Sequence, residues 1–97
     1  MILVRDVFQA KYGKGDDLVA LLKEIMENGV GRATEERILT DASGPFFTIV
    51  YQRNYESLTE WDKPLEENVS NFDFAEWFAR MMELVDSGQR EFYNIEA

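Results

Sequence analysis

LTDASGPFFTIVYQRNY, residues 39–55, decides the fold. Its middle, DASGP, concentrates turn chemistry: Asp41 and Ser43 can bond local backbone, and Gly44 is free to take positive φ. On the C-terminal side, FFTIVYQRN is rich in the β-branched and aromatic residues that favour strands. On the other side TEERILT, residues 34–40, reads as a polar edge strand whose charges discourage further strand addition. The stretch therefore predicts a β-hairpin. Alternation places Phe47, Ile49 and Tyr51 on one face and Phe46, Thr48 and Val50 on the other. Neither set suits water, so both faces of the sheet are expected to find cover.

Working outward, ILVRDVF at residues 2–8 reads as a first strand. YGKGDD follows as a turn, with Asp16 and Asp17 placed for the positive end of a helix. Leu18, Leu21, Leu22 and Ile25 then recur at the spacing of one apolar helical face, and Asn28 with Gly29 predicts its end. After the hairpin, Ser57 and Glu60 stand three apart as a capping box, opening a second helix that Pro64 interrupts. FAEWFARMMELV predicts a further helix with Phe74, Trp77, Phe78, Met81, Leu84 and Val85 inward and a Glu76–Arg80 pair outside. Gly88 is its expected end, and REFYNIE, residues 90–96, the last strand. The order is βαββαβ with a broken second helix. It implies an α+β domain of residues 1–97, a ferredoxin-like antiparallel sheet with helices on one face.

With helices on one face only, the other retains apolar residues from both the first strand and the hairpin. A second copy supplying its own sheet, at about 800 Å² per partner, is the expected solution. Composition narrows the remaining possibilities. With 19 acidic and 10 basic residues the net charge is −9, which opposes nucleic acid and anionic membrane surfaces as partners. No apolar run approaches the roughly 20 residues that span a bilayer, and Arg5 and Asp6 interrupt the start too early for a signal peptide. A cytoplasmic protein is expected. Histidine and cysteine are both absent, removing the usual haem and zinc ligands, thiolate nucleophiles and the commonest general base. No cofactor is expected.

The opening ILVRDVFQAKYGKGDDL, the hairpin LTDASGPFFTIV and the closing EWFARMMELVDSGQREFY resemble the dimeric α+β barrel superfamily, and within it small proteins related to the NIPSNAP and antibiotic biosynthesis monooxygenase groups. The resemblance implies two facing sheets forming a barrel and a small-molecule cavity between sheet and helices. Haem-degrading members hold iron through histidine, which this chain lacks. Cofactor-independent oxygenases orient electron-rich substrates with Asn, Trp and Tyr, types present here as Asn54, Trp61, Trp77 and Tyr51.

Five residues stand out as ligand-binding candidates. Arg5, Arg37 and Arg53 lie in predicted strands, where two sharing a face form a forked donor cluster for a carboxylate or enolate. The bland alternative is structural ion pairing. Tyr51 is either a hydrogen-bond donor or proton shuttle for a ligand, or a core ring with an edge partner. Trp61, between the capping box and Pro64, is placed to wall a cleft at the helix break. Two readings of function follow. One is a homodimer holding a small organic molecule, with monooxygenase or isomerase chemistry if it is an enzyme. The other is a non-catalytic dimeric structural or protein-interaction module.

Overall fold

The computed structural model describes residues 1–28, 33–63 and 72–97. The described elements run β1 (Ile2–Ala10), α1 (Gly15–Glu27), β2 (Thr34–Thr40), β3 (Thr48–Tyr55), α2 (Leu58–Asp62), α3 (Phe74–Leu84) and β4 (Val85–Asn94). The strands form one antiparallel sheet in the order β2-β3-β1-β4. This is the ferredoxin-like α+β arrangement that the element order implied.

Pairing fixes which side chains share a face. Val4 lies opposite Arg53, Asp6 opposite Tyr51 and Phe8 opposite Ile49. Across the other edge of β1, Asp6 faces Arg90 and Val4 faces Phe92. This is the helix-covered side. Leu18, Leu21, Leu22 and Ile25 of α1 meet Trp77 and Met81 of α3 above Ala10, Ile49 and Tyr51. Each such buried aliphatic side chain is worth about 1.5–3 kcal/mol relative to an exposed one, which makes this cluster the main source of stability. A smaller cluster of Ile2, Val4 and Tyr55, joined by Trp61 of α2, occupies the other end.

The hairpin begins later than alternation suggested. Phe46 and Phe47 precede β3, whose first residue is Thr48. Phe47 takes φ +59°, so it belongs to the turn, and its ring stacks edge-on against Tyr12 at 4.9 Å while Phe46 stays exposed. Asp41 does bond the turn, accepting from the Thr48 amide at 3.1 Å, and Gly44 takes φ +102°. The opposite, helix-free face of β1 and β3 thus carries Leu3, Arg5, Val7, Val50, Gln52 and Asn54, a mixed surface.

The C-terminal third also departs from expectation. α3 ends at Leu84 and β4 starts at once at Val85, so Gly88 lies inside a strand. Its lack of a side chain has a local reason: a Cβ there would sit 3.1 Å from the Phe8 ring and 3.3 Å from the Val7 carbonyl oxygen. The buried stripe of α3 is also narrower than its composition, because Trp77 and Met81 are covered while Phe74, Phe78 and Met82 are exposed. Arg80 reaches across to α1, where its guanidinium donates to both Glu24 oxygens at 3.0 and 2.6 Å, rather than bonding Glu76 on its own helix. Ser57 caps α2 by accepting from the Glu60 amide at 3.2 Å. The expected roles of Gly29 and Pro64 fall outside the described residues.

Candidate functional site

Asp6 is the centre of the unusual chemistry. Alternation along β1 sends it to the helix-covered side between Val4 and Phe8, where it is 5% exposed. An unpaired carboxylate there would be strongly unfavourable, and two arginines from the flanking strands meet it. Arg53 of β3 donates from Nη1 to Oδ2 at 3.0 Å. Arg90 of β4 approaches side-on, with Nε at 2.6 Å from Oδ1 and Nη2 at 3.2 Å from Oδ2. One carboxylate thus holds two guanidinium groups, leaving the triad with a net positive charge inside an acidic chain.

Aromatic rings enclose this charge. The Arg53 guanidinium carbon lies 4.5 Å from the Tyr51 ring centroid and 5.9 Å from that of Tyr55. Arg90 lies over Trp61 at 5.2 Å, and Trp61 in turn meets Phe92 edge-on at 5.0 Å. Cation–π contacts of this kind favour the charged form of each arginine. Burial pushes the Arg53 pKa down, but the charge of Asp6 and the neighbouring tyrosines outweigh it and the net shift is upward. The Tyr51 hydroxyl donates to Glu36 of β2 at 2.7 Å. Burial first, then that hydrogen bond and the Glu36 charge, push the Tyr51 phenol well above the ordinary tyrosine value. Tyr51 is therefore a neutral donor at physiological pH and has no basic form to offer.

The sheet divides the sequence-derived candidates. Tyr51, Arg53 and Trp61 come together beneath the helices. Arg5 and Arg37 lie on the opposite face, both registered against Gln52 from either side. Arg5 pairs with Glu91 at 3.5 Å, and Arg37 is exposed on the edge strand. The three arginines therefore form no single cluster, because alternation gives Arg53 the opposite parity to Gln52. Asn54 also faces away, donating to Glu35 at 2.9 Å, while Trp77 spends its indole N–H on the Leu21 carbonyl at 2.8 Å. Asp6, Arg90 and Phe92 complete the site without having been singled out, and Glu36, whose pairing with Glu35 suggested a hard-cation cluster or a solvated surface, accepts from Tyr51. Asp6 carried a legible signal: in ILVRDVF it is the one acidic residue in phase with Ile2, Val4 and Phe8, and such a residue needs a cation.

The fold and this cluster define a small α+β protein of ferredoxin-like topology with an arginine–carboxylate–aromatic site beneath its helices. Its solved structural neighbours include NIPSNAP-family proteins. A nipsnap family protein with unknown function, Atu4242 from Agrobacterium tumefaciens, superposes with TM-score 0.73 at 13% identity over 96% of this chain and 86% of that one. An uncharacterized NIPSNAP domain protein from Burkholderia xenovorans gives 0.71 at 13% identity, covering 100% and 96%. A second NIPSNAP family protein of Agrobacterium tumefaciens, Atu5224, gives 0.66 at 17%, covering 96% and 90%. Identities this low carry the fold. No protein-family model and no curated protein matches the sequence.

Proposed function

We propose that the chain is a homodimeric α+β barrel protein that binds a small organic molecule on the helix-covered side of its sheet, next to Arg53, Arg90, Tyr51 and Trp61. The observation that carries this reading is the triad itself. Burying a carboxylate with two guanidinium groups is a poor route to stability, since well-packed apolar residues do as well or better. It sits between two apolar clusters that could have been continuous. A positive, aromatic-lined cluster is suited to holding an electron-rich oxygen, and in a reactive setting to stabilising an enolate-like charge. Isomerase or cofactor-independent monooxygenase chemistry on a carbonyl or aromatic compound is the reaction class this supports.

The helix-free face supports the dimer. Leu3, Val7, Leu39, Val50 and Tyr93 share it with Arg5, Arg37 and Glu91. A twofold-related copy covers the apolar part and offers each arginine a carboxylate. A competing reading, a non-catalytic dimeric module, has one observation in its favour: Tyr51 and Arg53 already have protein partners. Native mass spectrometry of gently purified protein separates the cases. A dimer carrying a discrete extra mass is the expected result. A dimer that stays unliganded when challenged with a library of small carbonyl and aromatic compounds favours the module, and a monomer overturns the two-sheet assembly.

A further inference from the structure

Arg53 and Arg90 share Asp6, yet they are not equivalent. Arg53 is 7% exposed, wedged between Tyr51 and Tyr55, with its charge committed to Asp6. The Arg90 side chain is 47% exposed. Asp6 takes its side-on edge, through Nε and Nη2, and so fixes the plane and direction of the guanidinium. Among the described residues no hydrogen bond engages Nη1, which with the second hydrogen of Nη2 forms the end-on edge of this half-exposed side chain. That edge is a fork spaced for two carboxylate oxygens. The guanidinium also lies over the Trp61 ring, whose edge-on neighbour is Phe92. Asp6 is shared between the two arginines, and the other carboxylate of the site, Glu36, is engaged by the Tyr51 hydroxyl beside Arg53, away from the exposed edge of Arg90.

Resting on the small-molecule reading above, we infer that Arg90 is the ligand-contacting group, that Asp6 is its positioning residue, and that the ligand class is a flat, conjugated monocarboxylate. The carboxylate lies in the plane of the Arg90 fork and its conjugated body extends along Trp61. A dianion such as phosphate fits less well, because Asp6 and Glu36 already place two carboxylates in the site and the chain as a whole is strongly acidic. The site is selective through geometry: lysine in place of Arg90 keeps the charge but loses the fork.

The test uses the full chain and two probes of one shape, 2-naphthoate and 2-naphthamide, followed through the two tryptophan indole N–H signals in NMR. Trp77, tied to Leu21, is the internal reference, and Trp61→Phe assigns the pair. Saturable movement of the Trp61 signal by naphthoate is expected, with naphthamide and inorganic phosphate at least tenfold weaker. Arg90→Lys is expected to weaken naphthoate tenfold or more and leave naphthamide unchanged, whereas Arg37→Lys on the opposite face alters neither. Equal binding of acid and amide at Trp61 overturns the carboxylate inference while leaving a pocket in place. Failure of both probes to move Trp61 overturns the pocket and the inference together. The acid–amide comparison needs no variant, so a folding defect in Arg90→Lys does not blunt the test.

Discussion

Replacing Asp6 with Asn keeps the shape of the side chain and removes the one anion that two guanidinium groups share. The Asp6 and Arg53 side chains are 7% and 9% exposed, so the Arg53 charge would remain buried without a counter-charge. Breaking a buried pair in this way costs about 3–5 kcal/mol. Arg90, with a side chain 47% exposed, can turn to solvent, and its share of the loss is at most about 1 kcal/mol. Against a total stability of about 5–15 kcal/mol for a domain, this is a large effect. With a urea m-value of about 1.5 kcal/mol/M, the midpoint falls by roughly 2–4 M. Urea unfolding at matched protein concentration measures it, and the Asp6→Leu, Arg53→Met pair completes the argument. Apolar replacement of both partners is expected to recover most of the loss, giving strong coupling in a double-mutant cycle. A loss below about 1 kcal/mol for Asp6→Asn, the value of an exposed ion pair, refutes the claim that this contact behaves as buried.

Tyr51 supplies a prediction in pH. Its folded pKa is raised, so as pH climbs the unfolded chain gives up this proton first; the stability tied to the native phenol is full below about pH 10 and declines above it. Urea midpoints between pH 8 and 11 should show a shallower alkaline decline in Tyr51→Phe than in the parent, and identical slopes would contradict the assignment. Gly88→Ala forces a methyl group against Phe8 and the Val7 carbonyl, and is expected to cost about 1–3 kcal/mol in chemical unfolding. The paired Gly88→Ala, Phe8→Leu variant should lose less than the sum of its parts. Trp77→Phe removes the donor to Leu21 and part of the core contact between α1 and α3, for an expected loss of about 2–4 kcal/mol by thermal or urea unfolding.

Much of the scaffold could be read directly from residue spacing. The four aliphatic positions of α1 recur with helical period and all four are buried. TEERILT coincides with β2, and the Ser57 cap forms as its spacing required. The errors have physical causes. Phe46 and Phe47 looked like strand because their composition is β-favouring, but positive φ at Phe47 ends the alternation before β3 begins. Gly88 looked like a helix terminus because glycine has that use as well as another: in β4 it makes room for Phe8. The site was half legible. Arg53, Tyr51 and Trp61 came from chemistry-bearing types in apolar settings, whereas Arg5 and Arg37 share the helix-free face, because one residue of register sends a side chain to the other side of the sheet. Arg90 depended on strand order. Only when β4 lies beside β1 does its guanidinium meet Asp6.

The junction between α3 and β4 has a mechanical meaning. The chain passes from helical Leu84 to extended Val85 with no loop between them. The joint is fastened on both sides: the Val85 amide donates to the Met81 carbonyl, and the Lys11 amide donates to the Leu84 carbonyl at 2.8 Å. The first irregularity comes only beyond it, where Ala10 pairs with Val85 and Gln9 with Ser87 and the strand takes up one extra residue, Asp86. The helix that begins with exposed Phe74 and the strand that carries Arg90 are thus consecutive pieces of one hydrogen-bonded backbone. The start of β4 is therefore anchored by the seating of α3, while the Arg90 guanidinium further along it is oriented by Asp6.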